Sequence, residues 1–311
     1  MRIDTLFQSG SSAAFLGVPA IASDQAPSGA VVVIGIPGAT PYASAGAYCA
    51  AAPAAIRAAV AGYAGNISHY DFDLGGPILS PGKVLVDAGD LPFDPLDFPG
   101  NRSRIRETFT SLISRGIAPI VLGGDDSVQI PILEAFSSHG PLTILQIDAH
   151  IDWRDEVQGE RHGLSSTMRR ASEMGGVKTI VQVGARAIGS ARPSDVEDAR
   201  RHGVRLFDMR AVRAHGILPV AEAVPKDGPV VVCLDVDGLD PSVVPGVIGS
   251  APGGLTYGQV ADLLIAVAAR APIIGLNVVE LVPENDVNGA GALVAARLAI
   301  LGIGLAARAP R

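Results

Sequence analysis

Cysteine is scarce in this chain. Of 311 residues only Cys49 and Cys233 are cysteines. Both stand in apolar or Ala-rich sequence, so no disulfide framework is expected, and free thiols fit a reducing cytoplasm. Positive charge is also in deficit, with 24 Lys and Arg against 31 Asp and Glu, a net charge of −7 and a pI near 5.3. An acidic protein is attracted to neither nucleic acid nor anionic membrane, so neither is an expected partner. No apolar run approaches the ~20 residues of a spanning helix. The Ala-rich stretch 13–22 is short, interrupted by Pro19 and preceded by Asp4, which is the wrong pattern for a signal peptide. Gly123-Gly124 is followed by no Gly-Lys-Ser/Thr ending and belongs to no dinucleotide fingerprint, so a phosphate loop is not expected. Linkers, charge blocks and repeats are missing too. The chain therefore reads as one domain, 1–311, with residues 1–28 as an N-terminal extension.

What the chain has is 48% hydrophobic residues, enough for one large core. Val/Ile-rich runs at 31–36, 84–86, 118–122, 142–147, 179–183, 230–234 and 273–279 predict strands, with Cys233 in one of them. Helical patterns at 53–60, 102–114, 128–136, 164–173, 257–269 and 290–301 alternate with them. Alternation of this kind predicts an α/β fold with a mostly parallel sheet covered on both faces. Loops at 75–82, 91–100 and 238–254 are candidates to shape a ligand site. Two of the strand runs end in potential ligands at every second residue: Asp148, His150 and Asp152 after the first, Asp235 and Asp237 after the second. In extended chain such residues share one face, and the carboxyl ends of parallel strands are where open α/β sheets build sites. Four carboxylates and an imidazole cannot be buried together unless cations neutralise them. The spacing predicts a two-metal centre.

These segments carry a family resemblance. Gly123-Gly124-Asp125-Asp126-Ser127, the Asp148 to Asp152 tract, and Asp235-Val236-Asp237-Gly238-Leu239-Asp240-Pro241 followed by Pro245-Gly246 resemble signature blocks of the ureohydrolases, the arginase and agmatinase superfamily. Phe15-Leu16-Gly17-Val18-Pro19, Gly35-Ile36-Pro37, Ala52-Pro53-Ala54-Ala55-Ile56-Arg57, Asp87-Ala88-Gly89-Asp90 and Glu280-Leu281-Val282-Pro283 resemble further blocks in the same order. His162-Gly163, followed by Met168-Arg169-Arg170-Ala171, is closer to the agmatinase branch. The resemblance implies an arginase-like three-layer αβα fold with a central sheet of about eight strands, trimers or hexamers, and a binuclear centre for Mn2+, with Ni2+ or Zn2+ as alternatives. It implies that Asp148 and Asp235 bridge two ions, that His150 and Asp237 complete one, and that Asp152 and the residue at position 126 complete the other. A hydroxide held between the ions would attack a guanidinium bound by Glu280, giving urea and an amine. Asp152 would orient that hydroxide, and His162 would shuttle protons near the leaving amine.

Position 126 departs from the family, where it is usually histidine. Aspartate still offers oxygen to a hard cation. Five carboxylates would then face two divalent ions, leaving one net negative charge where the histidine version leaves none. A more negative shell predicts a higher pKa for bound water and a more alkaline optimum. It also raises one rival reading, a catalytically degenerate subunit supporting an active paralogue; a formimino-compound hydrolase is a further alternative because Asp155, Glu156 and Glu160, close to the candidate tail-binding residues, carry the opposite charge to Arg154. A single-metal deacetylase of related fold is disfavoured by the additional carboxylates Asp152 and Asp237. At the substrate's far end Trp153 and Arg154 are candidates for the pocket mouth, the first by stacking and the second by attracting a carboxylate tail. That leans toward a guanidino acid such as 4-guanidinobutyrate over agmatine. Arg186 is expected to meet a carboxylate of a loop or a neighbouring subunit, and His139, His202 and His215 to be solvated.

Overall fold

Val- and Ile-rich runs, too short for stable helices and apolar on both faces, become the strands of one central sheet. The computed structural model describes residues 14–226 and 228–309, so residues 1–13 of the expected extension lie outside the described residues. In chain order the elements are β1 (Val31–Ile36), α1 (Ala52–Ala59), β2 (Tyr70–Asp71), β3 (Gly76–Pro77), β4 (Leu85–Asp90), α2 (Phe98–Ser114), β5 (Ala118–Gly123), α3 (Gln129–Ser137), β6 (Leu142–Ile147), α4 (Thr167–Ser172), β7 (Val177–Val183), α5 (Pro193–Arg201), β8 (Arg205–Phe207), α6 (Met209–His215), α7 (Leu218–Ala223), β9 (Val230–Asp235), α8 (Tyr257–Ala268), β10 (Ile273–Val279) and α9 (Ala290–Arg308).

Eight strands pair in the order β4-β1-β5-β10-β9-β6-β7-β8, all parallel. Every residue of β1, β6 and β9 is buried, as expected of parallel strands covered on both sides. The side chains alternate. Leu145 and Ile147 of β6 and Val230, Val232 and Leu234 of β9 join one apolar layer with residues of α1, α6, α7, α8 and α9. Leu142 and Ile144, with Val231 and Cys233, join the opposite layer under α2, α3, α4 and α5. The result is the three-layer αβα arrangement.

The structure adds to the expected elements where apolar patterning is weak. Strand β8 is a short edge strand opening on Arg205, and α5 buries only Ala199, so neither carries a recognisable stripe. Residues 15–18, assigned to an extension, instead pack into the core, and the Phe15 amide donates to Asp87 at 2.7 Å. Helix α9 runs to Arg308 rather than 301, and its 19 residues, with an 18-residue stretch of mean hydropathy 2.0, are by length and composition enough to cross a membrane. This corrects the expectation that no run approaches that length. Of that stretch 78% is buried inside the protein, with apolar side chains turned to the sheet, and Arg297 pairs with Asp71 and Asp73.

Candidate metal centre

Strands β5, β10, β9 and β6 lie side by side, and the end of each delivers site residues. Asp126 follows β5, Glu280 follows β10, Asp235 ends β9 with Asp237 beyond it, and Asp148, His150 and Asp152 follow β6. The strand order joins residues remote in sequence: the Asp126 amide donates to Glu280 Oε1 at 2.7 Å across 154 residues.

The ligands converge, though not as extended combs. Beyond Ile147 the chain leaves the sheet, and Asp148 Oδ1 accepts from the His150 amide at 2.6 Å. Residues Val236–Gly238 form a 3-10 turn in which Asp235 Oδ1 accepts from the Asp237 amide at 2.8 Å. Carboxylate-closed turns of this kind, rather than a two-residue repeat, aim the side chains inward. Asp152 and Glu280 have φ of 45° and 70°. This left-handed conformation costs a residue with a Cβ on the order of 1–3 kcal/mol and persists only when neighbours impose it. Here the Asp152 carbonyl accepts from the Met168 and Arg169 amides, both at 3.1 Å, and the Glu280 amide donates to the Gly124 carbonyl at 2.9 Å.

Two ligand groups result, Asp148-His150-Asp237 and Asp126-Asp148-Asp152, with the donor atoms of each within 4.8 Å of one another. They share Asp148. Asp235 and Glu280 line the same cavity of about 170 Å³, whose outer wall includes Leu164, Ser165, Ser190 and Ile248. The imidazole of His150 stands between two glycines: a Cβ on Gly249 would lie 2.8 Å from its Cε1, and one on Gly189 would lie 2.6 Å from its Cδ2.

Behind the ligands is a layer of neutral amides and hydroxyls. Gln146 Nε2 donates to Asp148 Oδ2 at 2.7 Å and to Asp152 Oδ2 at 2.6 Å, and Gln182 in turn donates to Gln146. Asp126 accepts from the Gln129 amide and from the Thr167 hydroxyl. On the other side, the Tyr48 hydroxyl lies 2.8 Å from both oxygens of Glu280.

Six carboxylates here are at most 5% exposed, and among the described residues none makes an ion pair with a lysine or arginine. Burial first, then repulsion from neighbouring carboxylates, pushes Asp126, Asp152, Asp235 and Glu280 well above the usual carboxylate range. Hydrogen bonds to Asp148 and Asp237 hold His150 up to about 11. Without other cations the site thus holds protons, because burial and mutual repulsion disfavour the charged carboxylates. The donor set, mostly carboxylate oxygens with one imidazole, fits divalent ions of the Mn2+ type, and imidazole also admits Ni2+ or Zn2+. Asp126 stays within the ligand group, so aspartate at this position leaves three donors in place.

Other assignments need correction. Trp153 does not reach the cavity mouth: it is 2% exposed, its indole N–H donates to Asp198 at 2.9 Å, and its ring meets His202 edge-on. Arg154 does not line the cavity either; it donates to the Ser190 carbonyl at 3.0 Å and lies 3.8 Å from Asp195. It braces the strap that does. His162 stands outside the cavity wall, with Nδ1 3.4 Å from Glu160, and burial, followed by the Arg102 charge, lowers its pKa. Arg186 meets loop carbonyls, those of Asp237 at 2.8 Å, Leu239 at 3.0 Å and Ala251 at 2.6 Å, rather than a carboxylate. Sequence reasoning missed Gln129, Gln146, Thr167, Gln182 and Tyr48. Gln146 alone carried a signal, since two residues before Asp148 a strand points to the same face.

A parallel sheet with a carboxylate-rich cation cradle at the ends of its central strands defines an α/β protein of the arginase-like fold. The sequence profile of the Arginase family matches residues 29–303. The chain belongs to that family. It is 36% identical over 221 residues to a guanidinopropionase of Pseudomonas aeruginosa, covering 68% of each protein. It is 32% identical over 221 residues to a mitochondrial agmatinase of Gallus gallus, in a match that covers 69% of this chain and 64% of that protein. Among solved structures, proclavaminate amidino hydrolase from Streptomyces clavuligerus superposes with a TM-score of 0.81 at 26% identity, over 97% of this chain and 99% of that one.

Proposed function

We propose that the protein hydrolyses a guanidino compound, agmatine or an ω-guanidino acid such as 4-guanidinobutyrate, to urea and an amine. The observation that carries this reading is the pair of ligand groups sharing Asp148 beside buried Glu280, in a chain whose relatives include a guanidinopropionase and an agmatinase. Asp126, Asp148 and Asp152 would hold one divalent ion and Asp148, His150 and Asp237 another, with Asp235, which lines the same cavity, as a further ligand; Mn2+ is the first choice. Such ions supply Lewis acidity and make water acidic enough to act as a nucleophile. Asp152 accepts a proton from the attacking water and orients it. Glu280, fixed by Tyr48 and by the Asp126 amide, takes the planar guanidinium by paired hydrogen bonds. The water oxygen bonds to the guanidinium carbon, the carbon–nitrogen bond to the alkyl amine breaks, and both protons of the water, one of them by way of Asp152, end on that amine, which leaves as an alkylammonium beside neutral urea. His162 exchanges protons with solvent from outside the cavity wall. A homo-oligomer, trimer or hexamer, in the cytoplasm completes the proposal.

The test is urea release from agmatine, 4-guanidinobutyrate, 3-guanidinopropionate, arginine and guanidine after loading with Mn2+, Ni2+ or Zn2+, with metal content per chain measured alongside. Metal-dependent turnover, lost in Asp235→Ala, is the expected result. Silence with one ion or none per chain refutes it and favours a degenerate subunit. Release of ammonia or formamide from a formimino substrate, without urea from the panel, refutes it in favour of a formimino hydrolase.

A further inference from the structure

We infer that Arg102 binds the far end of the substrate and selects a carboxylate tail, which makes ω-guanidino acids the preferred class. This rests on the guanidino-hydrolase reading. The cavity is acidic at its inner end, where Asp126, Asp152, Asp235, Asp237 and Glu280 stand. Arg102, in the first turns of α2, is half-buried in a chain of net charge −7. No carboxylate lies within ion-pair distance of it among the described residues; its guanidinium donates only to the Thr40 hydroxyl, at 2.8 Å. Glu134, the nearest acid on α3, pairs with Arg106 at 3.7 Å.

Thr40 places that charge beside the mouth. Its amide donates to Ser127 Oγ at 2.8 Å, next to Asp126. Two residues on, the Tyr42 hydroxyl accepts from the Ser165 amide at 3.3 Å, and the Tyr42 ring packs on Gly163. Ser165 and Leu164 are the lip of the cavity, and His162 beside them feels the Arg102 charge. The guanidinium, with no carboxylate partner among the described residues, is thus linked through Thr40 to the loop that packs on the lip; it stands outside the wall that Leu164 and Ser165 form, where a substrate tail that extends past the lip reaches it, with Glu280 lining the cavity. A ligand carrying guanidinium at one end and carboxylate at the other complements both. Arg154, the sequence's candidate for this role, already has Ser190 and Asp195 as partners.

The test compares wild type with Arg102→Met, Arg102→Lys and Arg102→Glu in the metal-loaded protein, using 4-guanidinobutyrate, butylguanidine and agmatine, by turnover and by calorimetric binding. The expected result is a fall of tenfold or more in the ratio of kcat/KM for 4-guanidinobutyrate over butylguanidine in Arg102→Met, carried by KM. Arg102→Lys recovers part of the ratio, because lysine keeps the charge but not the fork. Arg102→Glu shifts preference toward agmatine, which loss of folding alone cannot do. An unchanged ratio in all three variants overturns the assignment. So does a wild type that turns over butylguanidine or agmatine but binds guanidino acids no better; in that case the guanidino-hydrolase reading stands. A wild type that neither binds nor hydrolyses any of the three overturns both.

Discussion

Replacing Gln146 with leucine removes an amide that donates to Asp148 at 2.7 Å and to Asp152 at 2.6 Å while roughly preserving side-chain shape in a fully buried position. A hydrogen bond to a charged acceptor contributes about 1.5–3 kcal/mol. Only the part that differs between the metal-loaded and metal-free states affects affinity. With ions bound, both carboxylates are fully charged and need the donor; without ions their raised pKa values let protons take over part of its role. Loss of a partner behind a ligand usually weakens metal binding about 10–100-fold, which is about 1.4–2.7 kcal/mol. The assay is chelator competition with Mn2+, together with melting curves in the presence and absence of the ion. The metal-induced rise in Tm should shrink in Gln146→Leu, with the metal-free Tm changing less. Gln182→Leu should do less alone and add little to Gln146→Leu, because its amide acts through Gln146. Unchanged Mn2+ affinity in a folded Gln146→Leu protein would refute the assignment of Asp148 and Asp152 as ligands held by this amide.

Two further outcomes follow from the same geometry. In the metal-free protein Asp126, Asp152, Asp235 and Glu280 are raised above their unfolded values, so the folded state holds more protons than the unfolded chain. Stability is then fully present below the unfolded carboxylate pKa of about 4 and is lost as pH rises through the raised values; Tm with a chelator present should fall as pH rises above about 4, and added Mn2+ should offset more at the upper end. A flat profile in chelator contradicts this. Gly124→Ala would place a Cβ 2.0 Å from the Pro37 carbonyl oxygen, backbone against backbone, so neither can yield cheaply. The expected loss exceeds the ~1–3 kcal/mol typical of overpacking, and a denaturation midpoint equal to wild type would show that the two segments do not approach as described.

The β/α alternation, the position of the ligands at strand ends and the family blocks were readable because each is local: apolar runs mark buried strands, and burial of several carboxylates demands cations whatever the tertiary detail. Asp126, Asp148, His150, Asp152, Asp235, Asp237 and Glu280 do come together. The manner of their convergence was not readable. Two-residue spacing suggested combs, yet Asp148 and Asp235 close their own turns, and Asp152 and Glu280 point inward only because the surrounding backbone holds them in left-handed conformations. Trp153 and Arg154 looked like mouth residues because they follow a ligand directly, but one step past Asp152 the chain turns into the core.

The sequence by itself determined which residue types could bind an ion and that a parallel sheet would carry them, because periodicity and charge are properties of short segments. Only the tertiary structure decided their partners. Strands β5 and β10 are neighbours although their site residues are 154 positions apart, and that pairing aligns Asp126 with Glu280. The amide of Gln146, the hydroxyls of Thr167 and Tyr48, and the unneutralised guanidinium of Arg102 take their roles from what faces them. A polar side chain has no fixed meaning until packing supplies its partner or withholds it, and packing is a property of the whole chain.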